Sequence, residues 1–137
     1  MRPAEQLSLF TRRKTPKRPP APEFHLQCMV ADVLRRWLMP GWRWTHIPLG
    51  EHRTKATAAK LKRMGVNPGW PDIILLSPLG LPHFLELKRR GGDLTDQQDE
   101  FKQWCRDRKV PHFVTDSFDA AVAQLKTWGA VRAAIST

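Results

Sequence analysis

Asp72, Glu86 and Lys88 are residues whose types and spacing could do chemistry together. Two short apolar runs, Ile73–Leu76 and Phe84–Leu87, flank the turn-rich Ser77-Pro78-Leu79-Gly80-Leu81-Pro82. That pattern predicts a β-hairpin with a longer loop. Side chains alternate faces along a strand, so Glu86 and Lys88 share a face and Leu87 points away. A loop symmetric about Leu79 sets Asp72 opposite Glu86, and directly opposed residues point to the same face. The hairpin then gathers two carboxylates and one ammonium at one spot. Two neighbouring carboxylates repel, and desolvating them is costly. A hard divalent cation such as Mg²⁺ removes both objections, because it takes oxygen ligands and commonly uses one or two carboxylates. Such an ion acidifies water and polarises a phosphoryl oxygen, and a lysine beside it can orient the water. The competing account is an exposed hairpin with a surface Glu–Lys pair. Pro-Asp or Glu-x-Lys alone is common by chance; both together on paired strands are more specific.

The elements that must position these residues are legible on either side. Glu23 to Leu38 reads as a helix, with Leu26, Val30, Val33 and Trp37 on one stripe and Leu34 and Leu38 widening it. Pro22 starts it and Pro40-Gly41 ends it. Glu23 falls on the stripe of Leu26, as a helix-dipole partner or as a third carboxylate aimed at the hairpin. Trp42–Ile47 looks like a strand and Pro48–Arg53 a loop. Thr54 is an N-cap for a helix Lys55–Met64, ended by Gly65. Arg53, Lys55, Lys60, Lys62 and Arg63 make this the densest basic patch outside the N-terminal tail, and Arg89 and Arg90 follow the hairpin. The patch is either a solvated helix face or a phosphate-contacting surface. His46 and His52 are histidines of a kind more often structural or exposed than ligating. Thr95-Asp96-Gln97-Gln98 matches a capping box opening a helix through about Arg106. Gln98, one turn before Phe101, either caps or reaches the site. Val110–Val114 is a strand near an edge because of Pro111, parallel to the Phe84–Lys88 strand across a right-handed crossover. Ser117 caps a last helix from Phe118 to about Trp128, which buries Ala121, Val122 and Leu125. Trp128-Gly129 closes the domain, with residues 130–137 as a short extension.

The 137-residue chain suits one domain with one core. No apolar run approaches the roughly 18 residues of a membrane helix, and no secretory leader is visible, which predicts a cytoplasmic protein. Cys28 and Cys105 lack Cys-x-x-Cys partners and read as reduced, buried thiols. The formal net charge of +10 implies a polyanionic partner, most simply nucleic acid. A basic amphipathic helix for a membrane surface is not apparent.

Residues 1–22 hold Arg2, Arg12, Arg13, Lys14, Lys17 and Arg18 against Glu5, about half of the net charge, and are rich in proline. The sequence predicts a disordered basic tail that adds salt-sensitive phosphate contacts. Its one apolar cluster is Gln6-Leu7-Ser8-Leu9-Phe10, a chance blip or a motif. All five positions resemble the bacterial sliding-clamp-binding pentapeptide. The resemblance implies hydrogen-bonded docking by Gln6 and a clamp pocket filled by Leu9 and Phe10.

Pro71-Asp72 followed by Glu86-Leu87-Lys88 resembles the signature of the PD-(D/E)xK nuclease superfamily. The ordered set is more specific still. It comprises Glu23-x-x-Leu26-Gln27, His46-x-Pro48, Arg53-Thr54, Ala59-x-Leu61-Lys62-x-x-Gly65, Gly69-x-Pro71-Asp72, Glu86-Leu87-Lys88 and Leu94-Thr95-x-x-Gln98. From about Glu23 to Trp128 the chain resembles the virus-type replication–repair nuclease domain, VRR-NUC. Leu49 departs from the asparagine the family often has after His-x-Pro.

That resemblance implies an α/β, restriction-endonuclease-like core with a mixed sheet of about four strands flanked by helices. It implies a Mg²⁺- or Mn²⁺-dependent deoxyribonuclease. Asp72, Glu86 and the Leu87 carbonyl would hold the metal, Lys88 would position water, and Glu23 and Gln98 would support the site. Small stand-alone members look like homodimers suited to branched DNA such as four-way junctions or flaps. The setting implied is a bacterium, or a phage in its host, in replication, repair or recombination. Two other readings stay open: a non-catalytic DNA-binding or clamp-recruited module, and a restriction-type endonuclease with a fixed recognition sequence. A pure binder has no need to crowd carboxylates beside DNA, and the short chain leaves no separate domain for base readout.

Overall fold

The computed structural model describes residues 22–49 and 53–134. The pentapeptide at residues 6–10 and the expected tail up to residue 21 lie outside the described residues, while Pro22 already belongs to the first helix. Helix α1 (Pro22–Trp37) is followed by strand β1 (Arg43–His46) and helix α2 (Lys55–Arg63). The hairpin strands β2 (Ile73–Leu76) and β3 (Pro82–Leu87) come next, then helix α3 (Asp96–Asp107), strand β4 (His112–Thr115) and helix α4 (Phe118–Trp128). The order matches the sequence reading, with bounds shifted by a residue or two.

The four strands form one mixed sheet in the order β1-β2-β3-β4. β1 and β2 run antiparallel, as do β2 and β3, while β3 and β4 run parallel. Pro111 precedes β4, which is an edge strand, so its missing N–H takes no ladder bond away. The β2–β3 register pairs Ile73 with Leu85 and Leu76 with Pro82. It is centred on Leu79, as the sequence predicts, and one step further it sets Asp72 across from Glu86.

Alternation divides the sheet into two faces. Ile73, Leu75, Leu85 and Leu87 point one way, wholly buried with Leu26, Val30, Val33 and Leu34 of α1 and Ala121, Val122 and Leu125 of α4. Phe84 and Glu86 point the other way, towards the face that α3 approaches through Phe101. Every residue of β3 from His83 to Leu87 is buried, so this strand is covered on both faces.

Local chemistry ends each helix where it stops. The Thr54 and Ser117 hydroxyls accept from Thr57 N–H and Ala120 N–H at the starts of α2 and α4. Gly129 at φ +76° closes α4 in the left-handed conformation. Two expectations need correction. Cys28 is exposed, because it lies off the apolar stripe of α1; Cys105 is buried as expected. The packed unit also runs past Gly129. Ala130 and Val131 are buried in the core, Val131 bridges to Leu38, and Met39 N–H donates to Ala130 O at 2.8 Å.

Candidate active site

The Asp72 backbone is fixed before its side chain is considered. It follows Pro71, which is fully buried, in the bend that leads into β2. The Asp72 carbonyl accepts from Ile47 N–H at 2.7 Å and from His46 Nδ1 at 2.7 Å. A carbonyl can only accept, so His46 Nδ1 carries the proton and Nε2 is left bare in the neutral ring. The Asp72 Oδ2 atom accepts from Leu87 N–H at 2.7 Å. Backbone and side chain of Asp72 are thus tied to β1 on one side and β3 on the other.

Glu86 is buried on the α3 face of the sheet, its side chain only 3% exposed. Gln98 Nε2 donates to Glu86 Oε1 at 3.1 Å, and Lys88 Nζ stands 3.6 Å from the same oxygen. Lys88 Nζ donates to Gln98 Oε1 at 2.6 Å. That oxygen also accepts from Thr95 N–H at 2.9 Å, while Thr95 Oγ1 takes Gln98 N–H at 3.2 Å, closing the capping box. One Gln98 side chain therefore caps α3, bonds the lysine and touches the buried acid.

The electrostatics follow from this crowding. Burial pushes the Glu86 carboxyl up, and the neighbouring Asp72 charge pushes it further, to about 8, despite the opposing effect of Lys88. Burial also raises Asp72, against the Leu87 N–H that favours its charged form. Both carboxyls therefore hold protons to higher pH than free side chains do.

Other predicted residues stand apart. Glu23 is half-buried in the first turn of α1. Among the described residues no three His, Cys, Asp or Glu side chains cluster closely enough to hold an ion, so Glu23 does not close a triad with the pair. Lys55, Lys60, Lys62 and Arg63 are exposed on α2, a helix with no buried residue, and Arg89 and Arg90 are exposed after β3. The Arg53 guanidinium donates to Pro48 O, so it helps set its own loop. His46 is the residue the sequence reading undervalued. The signal was its place in His46-x-Pro48, but its contact is with a backbone atom that no residue type announces. Gln27 is a similar case: its Nε2 is buried without a partner, and it lines a cleft of about 510 Å³ with His46.

An acid pair and lysine on two paired strands, backed by helices, is the architecture of a restriction-endonuclease-like, nuclease-type fold. Two solved structures share the fold. One, a "VRR_NUC domain protein", is 22% identical with a TM-score of 0.62, covering 81% of this chain and 90% of that one. The other, a "VRR_NUC domain", is 17% identical with a TM-score of 0.56, covering 79% and 98%. No curated protein matched the chain. The chain belongs to the VRR-NUC domain family, whose model matches residues 29–119. Among the described residues no helix is long and apolar enough to cross a membrane.

Proposed function

We propose that the protein is a Mg²⁺- or Mn²⁺-dependent deoxyribonuclease, selective for branched DNA such as flaps or four-way junctions. The observation that carries this reading is the buried Glu86 with the half-buried Asp72 across the hairpin and Lys88 beside it. A fold does not retain two desolvated, mutually repelling acids without a use for them. The donor set suits a hard cation: two carboxylates, with the Leu87 carbonyl as a third oxygen on the strand edge that faces Asp72. A bound Mg²⁺ or Mn²⁺ would supply Lewis-acid polarisation of the phosphodiester and a more acidic water.

The chain's own residues do the rest. Asp72 is held rigidly by Leu87 N–H, Ile47 N–H and His46, so its carboxylate does not drift. Gln98 aims the Lys88 ammonium at the carboxylate pair, where it steadies negative charge on the attacking oxygen and the phosphoryl group. Lys55, Lys60, Lys62, Arg63, Arg89 and Arg90, with Arg53 at the loop, would take the flanking phosphates, so affinity should fall as salt rises. Glu23 is a supporting residue in this reading. Residues 6–10 would recruit a bacterial sliding clamp, residues 1–22 form the basic tail, and a homodimer would present two sites to a symmetric junction. The setting is the cytoplasm of a bacterium, with or without phage.

A panel of flap, nicked, single-stranded, duplex and four-way DNA with Mg²⁺ or Mn²⁺ tests this. Asp72→Ala and Lys88→Ala should lose cleavage while keeping DNA binding. Cleavage that survives EDTA, or both substitutions, sinks the mechanism and leaves a basic DNA-binding module.

A further inference from the structure

A cavity of about 490 Å³ opens on the α3 face of the sheet, walled by Trp70, Phe84, Phe101 and Trp104, with Gln97 and Glu100 also lining it. Its walls are chain neighbours of the candidate active site. Trp70 stands two residues before Asp72, Phe84 two before Glu86 on the same face of β3, and Gln97 next to Gln98. Two residues along a strand span about 7 Å, so the cavity wall at Phe84 is a neighbour of the acid pair on this face. Phe84 and Phe101 pack edge to face with centroids 5.0 Å apart at 88°, and Trp70 lies tilted against Phe101, 4.9 Å apart at 52°. Trp70 and Trp104 nevertheless remain 43% and 48% exposed, with the Arg108 guanidinium 4.3 Å from the Trp104 ring centroid. Gly69, at φ +92°, presses against Gln97; a Cβ there would lie 2.6 Å from the Gln97 carbonyl oxygen, so the Trp70 wall is seated directly on α3.

We propose that this cavity receives the unstacked base of a nucleotide next to the scissile phosphate. The proposal rests on the nuclease reading above. A base has two apolar π faces and a polar edge, which is what aromatic walls and two polar rim groups fit. The Glu100 carboxylate repels a phosphate, yet it can accept from base N–H donors. Pulling a base out of a duplex costs a few kcal/mol, least where it is already unpaired. A stacking cavity beside the acid pair therefore favours DNA in which the nucleotide at the cut is already unpaired, as at a flap, bulge or junction.

The test is an abasic scan. Full-length protein in EDTA is titrated by fluorescence anisotropy against flap DNA carrying one abasic site at each position around the junction. One position should weaken binding by roughly 5- to 150-fold. That effect should vanish in Trp104→Ala, whose parent side chain is half-exposed and safe to remove, and persist in Trp104→Phe. Equal effects at all positions, or a local effect unchanged in Trp104→Ala, overturns the proposal. So does a wild-type dimer that Trp104→Ala turns into a monomer, because a second copy then covers the cavity. EDTA separates the two readings. A positional effect without cleavage on adding Mg²⁺ removes the nuclease and keeps the base pocket; cleavage without the effect does the reverse.

Discussion

Replacing Glu86 by glutamine should make the metal-free protein more stable at pH 8 and leave it nearly unchanged at pH 5. Glu86 has its proton held up to about 8 in the fold, against 4.5 for the ordinary side chain. A raised carboxyl binds protons more tightly when folded, so its contribution is fully present below pH 4.5. It is lost as pH climbs from 4.5 through 8. The slope is up to about 1.4 kcal/mol per pH unit, so the loss between pH 5 and 8 is on the order of 4 kcal/mol. Asp72, also raised, adds in the same direction. For a domain of this size that corresponds to a fall in Tm of roughly 10 °C or more. Glutamine keeps the shape and its amide oxygen can still accept from Gln98 but it never ionises, so the difference between the two proteins isolates this group from all other titrations.

The assay is thermal unfolding of both proteins from pH 5 to 8 in EDTA, then in Mg²⁺. Wild type should fall progressively below Glu86→Gln as pH rises. Mg²⁺ should restore wild type most at pH 8, where the fewest protons have to be displaced from the pair, by about 2.7 kcal/mol at a concentration 100 times Kd. Glu86→Gln should gain far less. Parallel curves in EDTA, or equal gains in Mg²⁺, would refute the reasoning.

Gly69→Ala should destabilise the fold by at least about 2 kcal/mol, through a positive φ and the 2.6 Å approach to the Gln97 carbonyl; a shift in urea midpoint measures it. Replacing Leu9 and Phe10 with alanine should abolish pull-down of a purified bacterial sliding clamp while sparing cleavage of naked DNA, and unchanged capture removes the clamp reading.

The hairpin was legible because three local signals agreed. Alternation set the faces, Pro and Gly placed the turn, and symmetry about Leu79 set the register that the β2–β3 ladder shows. The Thr95–Gln98 capping box was legible for the same reason, since its spacing is a local matter. The contacts that were not legible are long-range and involve atoms common to every residue. His46 holds a backbone carbonyl 26 positions away, and the Leu87 N–H holds Asp72 from 15 away. Cys28 was misjudged because residue type predicts burial only on average, whereas its position on α1 decides it. Val131 belongs to the core although it follows the last helix, because its bridge to Leu38 depends on where α1 ends in space.

One consequence joins folding to chemistry. The Gln98 side-chain oxygen accepts both the Thr95 N–H that starts α3 and the Lys88 ammonium. Its amide nitrogen meanwhile satisfies an oxygen of the buried Glu86. Forming the first turn of α3 and assembling the site are therefore the same event, and neither can be perfected alone. This makes a single planar amide preferable to separate residues for the two tasks. An ordinary cap could leave Lys88 free to swing towards solvent, at a side-chain entropy gain of up to about 2 kcal/mol. A separate lysine partner could leave α3 frayed over the acid pair. Coupling them ensures that whenever the helix is closed, the ammonium is already beside the carboxylates, where the proposed reaction would develop charge.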